Sequence, residues 1–178
     1  MAKSRLLHGT SITLHPFSEA FISAAYIGWL NDAKLMRFSR QRLYTHTRES
    51  CLEFLRSFES SPNYFWAIVA GELGHIGNIT ANVDTVNKLA DLTIMVGDPR
   101  ARDTGLALAA WKTAMDYLLV DGKLRKVTAG TAASNVPMLK IMQRSGMEPD
   151  GCRRRHLLIE DEEVDCIMYA RFIGSGLS

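Results

Sequence analysis

With 178 residues, 47% of them apolar and 22% charged, the chain suits a globular domain with a sizeable core and leaves no room for a second full domain. A formal charge of +2 is too small to argue for a nucleic-acid partner, and the longest apolar stretches, around Ala20 to Leu30, are too short and interrupted to span a bilayer. Cys51, Cys152 and Cys166 are odd in number and lack C-x-x-C spacing, and the histidines are scattered; this argues against a disulfide framework and a metal site and makes the cytoplasm the expected compartment.

In chain order, Ser11 to Pro16 alternates as a short strand, and Glu19 to Leu30 carries apolar residues at helical intervals, with Asn31 and Asp32 punctuating its end. The polar segment Arg37 to His46 leads to a second helix over Thr47 to Phe58. Thr47 is its expected N-cap with Glu49 in the first turn, and Ser50 does not complete a capping box. Tyr64 to Ala70 and Gly74 to Val83 read as strands joined by a turn at Gly71-Glu72, and Asp91 to Val96 as another. Leu106 to Val120 is a strongly apolar helix, with Gly122 suited to the C′ position. Lys126 to Thr131 is a short strand. Ser134 or Asn135 can cap the helix that runs to Ser145, Pro137 being tolerated in its first turn and Gly146 closing it. Gly151 to Ile159 and Glu163 to Phe172 flank the acidic turn Glu160 to Glu162. The order β-α-α-β-β-β-α-β-α-β-β, without repeats or linkers, predicts one α/β (α+β) layer domain over residues 1–178 with a mixed sheet.

The segment Arg100 to Ala107, R-A-R-D-T-G-L-A, joins a strand to an apolar helix. Gly105 allows positive φ and close approach of the main chain to a ligand, and the helix start presents unpaired N–H groups and the positive end of a dipole, so the ligand should be an anion. The spacing Arg102-x-x-Gly105-x-Ala107 resembles the Q/R-x-x-G-x-G/A pyrophosphate loop of the GCN5-related N-acetyltransferases, and Asn135 follows as a second feature of that family. The element order resembles the family's over nearly the whole chain, while its motifs cover Asp91 to Gly146. The resemblance implies a mostly antiparallel central sheet flanked by helices. In it two parallel strands, here Asp91 to Val96 and Lys126 to Thr131, splay apart around the pantetheine arm of acetyl-CoA, whose amides satisfy the backbone groups so exposed. The implied cofactor contacts are Arg102, Asp103, Thr104, Gly105, Leu106 and Ala107 in the loop, Ile94, Met95 and Val96 on the strand, and Asn135, which also reads as a simple N-cap. Lys140 is either a CoA-phosphate contact or a solvated lysine.

The resemblance further implies direct acetyl transfer to a primary amine, without an acyl-enzyme, and with no metal. An attacking amine must lose a proton, the carbonyl oxygen gains negative charge, and the sulfur leaves. A bulge near Ile94, Met95 or Val96 would aim a main-chain N–H at that oxygen. Asp91 is the candidate base, or else a solvated residue at a strand start. Relatives often place the leaving-group acid as a tyrosine seven positions after the asparagine, or carry serine three positions after it; here these are Met142 and Met138. Tyr117, Tyr169 or a water could serve instead, although a tyrosine on an apolar strand such as Ile167 to Phe172 is more often core. These two departures keep a non-catalytic acyl-CoA-binding regulatory module in view.

Arg37, Arg40, Arg42, Tyr44 and His46 combine cations with rings, a mix suited to a phosphate and a planar base or sugar ring, or to an ordinary solvated loop. With W-L-N-D-A-K-L-M-R (Trp29 to Arg37), this connection resembles the amino-sugar N-acetyltransferases of the pseudaminic acid pathway. The ribosomal-protein N-terminal acetyltransferases are the other branch resembled. The expected acceptor is a nucleotide-linked amino sugar; a protein N-terminus or a polyamine is the alternative, and the arginines argue against a polyamine. The basic run Arg153 to His156 is a solvated face or a substrate or phosphate contact. No nucleic-acid or membrane partner is expected, and a homodimer is left open.

Overall fold

The computed structural model describes residues 5–174. Eight strands form one sheet: β1 (Leu7–Gly9), β2 (Ile12–Pro16), β3 (Tyr64–Ala70), β4 (Gly74–Asp84), β5 (Leu89–Val96), β6 (Lys126–Ala132), β7 (Glu148–Ile159) and β8 (Glu162–Phe172). Their spatial order is β1-β2-β3-β4-β5-β6-β8-β7, and every neighbouring pair is antiparallel except β5 with β6. This is the mixed, mostly antiparallel sheet with flanking helices that the sequence led us to expect. β1 was not foreseen, because three residues are too short to show a period; it is turned back onto β2 at Ser11, whose φ of 63° is left-handed.

Four α-helices flank the sheet: α1 (Ala24–Leu30), α2 (Arg48–Arg56), α3 (Leu106–Val120) and α4 (Val136–Arg144). The helix expected over Glu19 to Leu30 is broken. A 3-10 turn occupies Glu19–Phe21, and the chain restarts at Ser23, whose hydroxyl accepts the Tyr26 N–H at 3.1 Å. At α2 a capping box is present after all. The Ser50 N–H donates to the Thr47 hydroxyl at 3.2 Å and the Thr47 N–H to the Ser50 hydroxyl at 3.0 Å, so serine does the work usually given to Glu or Gln. At the end of α3 the left-handed residue is Lys123 (φ 53°), one place beyond the expected Gly122.

α3 and α4 cover one face of the sheet and α1 and α2 the other. Alternation along β3 shows why: Trp66 and Ile68 pack with Trp111, Leu118 and Met142, whereas Phe65 and Ala67 pack with Tyr26, Leu30 and Cys51. Covered on both sides, β3 reads as an almost unbroken apolar run. Trp66, Trp111, Ile79 and Leu118 are fully buried, and truncating such side chains to alanine costs about 2–5 kcal/mol each.

The sheet opens in the middle. β5 pairs with β6 only from Leu89↔Lys126 to Asp91↔Thr128. Beyond that rung β5 stays with β4 as far as Gly77↔Val96, while β6 leaves with β8, from Lys126↔Phe172 to Ala132↔Cys166. Two half-sheets therefore diverge, and the loop into α3 stands at the mouth of the gap.

Candidate active site

The main-chain direction along the gap follows from the β4–β5 ladder. Past its last rung the N–H groups of Gly97 and Asp98 both donate to the Ile76 carbonyl, at 2.9 and 3.1 Å, which is a β-bulge. The bulge was expected within Ile94 to Val96, yet the register there runs unbroken and the irregularity falls one residue later. Hydrogen-bonded residues alternate in an antiparallel ladder. Gly97 bonded to β4 therefore puts Met95, Thr93 and Asp91 toward β4 as well, and Leu92, Ile94 and Val96 toward the β6 side. The Ala90 carbonyl has the same parity and accepts the Thr128 hydroxyl of β6 at 3.3 Å. Of the three strand residues first considered, Ile94 and Val96 direct main-chain groups into the gap, and Met95 does not.

The loop that follows is built to stay open. Asp98, buried, accepts from the Arg100 N–H at 2.9 Å and grips its guanidinium, so Arg100 is committed to the loop, whereas exposed Arg102 makes no salt bridge among the described residues. The Thr104 hydroxyl donates to Ala101 O at 2.7 Å, and Asp103 adopts φ 58°. Gly105 precedes α3 at φ 84°, where a Cβ would meet no atom within 4 Å. The first turn bond of α3 is Ala109 N–H to Gly105 O at 3.0 Å. The N–H groups of Ala107 and Leu108 thus have no turn behind them, and that of Leu106 makes only a long 3.4 Å contact with Thr104. Exposed main chain, a left-handed glycine, a free arginine and a helix start together fit a pyrophosphate. Asn135 lies across the gap after β6, capping α4 through the Met138 N–H at 3.4 Å while its amide donates to the Thr131 hydroxyl at 2.9 Å. Lys140 is exposed on α4.

Asp91 stands where the gap closes, on the α1–α2 face of the sheet. Its carboxylate accepts the Thr128 hydroxyl at 2.9 Å. Burial pushes its proton affinity above the usual carboxylate range, against the opposing pull of the Thr128 hydrogen bond and the Arg153 charge. Toward the mouth, the Trp29 ring of α1 lies flat against Gly97, so closely that a Cβ there would overlap it. His75 beside Trp29 is boxed by aromatic rings; burial lowers its pKa to about 4, and its Nε2–H donates to Gly77 O at 2.9 Å, which makes it a structural neutral imidazole.

One expectation about roles needs correction. Tyr117 does not approach the gap: it is buried against Tyr64 and Trp66 of β3, with Arg5 over its ring, and is a core residue. Tyr169 is likewise buried, its hydroxyl accepting from Gln143 at 3.0 Å. Met142 is fully buried and Met138 packs at the core's edge. Burial also pushes the Cys166 thiol up, away from the thiolate an acyl-enzyme needs.

The Arg37 to His46 connection does not converge on one point. Arg37 pairs with Glu160 at 2.8 Å, and Arg42 donates to Leu158 O at 2.8 Å and Ser39 O at 2.9 Å, so both pin the connection to the β7–β8 hairpin. His46 is held at both ends, its ring 3.1 Å from Gln41 O and its main chain bracketed by the Asn31 side chain at 2.8 Å. Arg40 and Tyr44 remain exposed. Sequence reasoning missed Asn31 as this bracket and Trp29 as the cover of Gly97; the W-L-N run was the available signal. Among the described residues no cluster of His, Cys, Asp or Glu could hold a metal ion, and no helix is long and apolar enough to cross a membrane.

A family model for the acetyltransferase (GNAT) domain matches residues 11–148. Among solved structures, the chain is similar to a GNAT-family acetyltransferase from Bacillus anthracis, with 18% identity, a TM-score of 0.80, and 94% of this chain and 98% of that one covered. It is similar to RimL, a ribosomal L7/L12 alpha-N-protein acetyltransferase solved with coenzyme A: 16% identity, TM-score 0.86, coverage 97% and 100%. A spermidine N-acetyltransferase from Vibrio cholerae, solved with CoA and spermine, gives 14% identity, TM-score 0.83 and coverage of 92% and 96%. At these identities the structural likeness speaks for the fold.

Proposed function

The chain belongs to the GCN5-related N-acetyltransferase family and is an acetyl-CoA-dependent N-acetyltransferase; within that activity, we propose that its acceptor is a small anionic amine, a nucleotide-linked amino sugar. The observation that carries this reading is the charge around the α1–α2 side of the gap. Arg153, exposed on β7, acts through its charge on Asp91, a partly buried carboxylate on that side. A polyamine would meet repulsion there, and an acceptor bearing phosphate would be drawn in.

In the proposed mechanism the Arg102 to Ala107 loop holds the pyrophosphate, with Leu108 adding a helix-start N–H, and the main-chain groups of Ile94 and Val96 orient the pantetheine arm. Acetyl-CoA, when bound, supplies a thioester carbonyl open to attack. The Ile94 or Val96 N–H is the donor available to the carbonyl oxygen as it gains charge. Asp91 takes the proton from the attacking amine, directly or through water. Its burial favours this work, because a raised proton affinity makes a stronger base near neutral pH. No side-chain acid stands among the tyrosines considered, and a thiolate leaves without one far more easily than an alkoxide.

A second reading, acetylation of a protein N-terminus, is favoured by one observation. β7 is an edge strand exposed from Glu148 to His156, and an extended peptide could pair along it. The free thiols suit a cytoplasmic setting for either acceptor. Thiol release from acetyl-CoA in the presence of a UDP-linked amino sugar, spermidine and a ribosomal-protein N-terminal peptide separates these readings. Fastest turnover of the sugar nucleotide is expected; turnover of the peptide or spermidine alone would overturn the acceptor assignment.

A further inference from the structure

The basic run of β7 is shaped by a large irregularity. From Arg153↔Cys166 to Leu157↔Val164, β7 advances four residues while β8 advances two. Arg154, Arg155 and His156 therefore stand opposite Asp165 alone. Asp165 holds them there: its Oδ1 accepts the Arg155 N–H at 2.8 Å, and Arg155 adopts φ 49°. A bulge of this kind re-aims side chains and is over-represented beside active sites.

Arg153, at the base of the bulge, lies on the acceptor face. The Thr128 hydroxyl reaches the Asp91 carboxylate, so Thr128, Gly130 and Ala132 share that face by strand alternation. Ala132 pairs with Cys166, and Cys166 with Arg153, which puts Arg153 on the same side. Counting on from Asp91↔Thr128, the row of Ala132 is level with Met95 across the gap. Arg153 thus stands opposite the region where the acetyl group is transferred, and its charge reaches back to both Asp91 and Cys166. Arg37 and Arg42 are tied to the hairpin and Arg155 lies 3.7 Å from Glu163, whereas Arg153 and Arg154 make no salt bridge among the described residues.

We propose that Arg153 binds a phosphate group that the acceptor carries a few bonds from its amine. The α1–α2 connection, to which sequence reasoning gave this role, instead braces the hairpin that presents Arg153. A guanidinium offers a phosphate two parallel N–H donors, and the Asp91 carboxylate at the other end of the face is left for the amine. Acceptors are then selected by the distance between amine and phosphate. The inference rests on the amine-acetylating activity proposed above.

Glucosamine, glucosamine 1-phosphate and UDP-glucosamine, compared by kcat/KM with the wild-type protein, Arg153→Gln and Arg153→Lys, test it. The wild type is expected to favour the phosphorylated acceptors by about tenfold or more, since a charge-assisted bidentate contact is being read. Arg153→Gln should collapse that ratio toward one through a raised KM, and Arg153→Lys should keep part of it. The ratio is internal to each variant, so partial misfolding does not mimic the effect. Equal wild-type use of the free and phosphorylated sugars, or a ratio unchanged in Arg153→Gln, overturns this inference alone. Failure of the wild type to acetylate any of the three overturns the amino-sugar reading and the inference with it.

Discussion

Replacing Gly105 with alanine separates the loop's role in folding from its role in binding. At φ 84° a side chain is strained, yet a methyl group would meet no atom within 4 Å. The folding penalty is therefore conformational only, about 1–2 kcal/mol. For a chain of this size each kcal/mol shifts Tm by about 2–4 °C, so Gly105→Ala should melt about 2–8 °C lower than the wild type. The same methyl group projects into the space assigned to the pyrophosphate, so CoA affinity should fall by about tenfold or more, roughly 1.4 kcal/mol. A ligand at about 100 times its Kd adds about 2.7 kcal/mol of stability. The CoA-induced rise in Tm should accordingly shrink in Gly105→Ala and vanish in Gly105→Trp. Calorimetric titration of CoA into each folded variant reads the affinity directly. A folded Gly105→Trp protein with wild-type CoA affinity would remove the loop from the site.

Asn135→Ala loses a cap and should cost about 0.5–2 kcal/mol in stability; turnover or acetyl-CoA affinity should fall further than that, and a change confined to Tm would make Asn135 purely structural. Asp91→Asn should lower kcat/KM by about 100-fold or more and abolish its acidic limb, which burial places above the ordinary carboxylate range. The sign for stability is opposite to that of an ion-paired carboxylate. The folded protein holds this proton more tightly than the unfolded chain, so stability falls as pH rises through the raised pKa, and the asparagine variant should lack that fall. A loss below about threefold with an unchanged pH–rate profile would reject Asp91 as the base. Tyr117→Phe should leave kcat within about twofold, as befits a core residue, and a large loss would restore the tyrosine as a candidate acid.

Legibility in the sequence followed the range of the interactions involved. α3 and the strands around it show their periods in the residues themselves, and so did the strand, loop and helix order of the phosphate cradle. The break before α1 was hidden because apolar residues continue at helical intervals through Ser23, whose cap restarts the helix. The capping box at Thr47 was overlooked because a serine hydroxyl, not a longer carboxylate or amide, closes it. Arg37 and Arg42 looked like free ligands since their partners, Glu160 and Leu158, are more than a hundred residues away. The β7 bulge was equally hidden: the consecutive polar residues Arg154, Arg155 and His156 have no period, and only the pairing with β8 shows that they stand opposite Asp165 alone.

Amide hydrogen exchange at individual residues, with and without CoA, tests most directly that the gap between β5 and β6 holds the cofactor through its main chain. Strand parity predicts which amides respond. Ile94 and Val96, directed into the gap, and Ala107 and Leu108, at the start of α3, should exchange fast in the free protein and slow by about tenfold or more on binding. Met95 and Thr93 face β4 and should be slow in both states. Unchanged exchange at Ile94 and Val96 under saturating CoA, or new protection at Met95 in their place, would contradict the account.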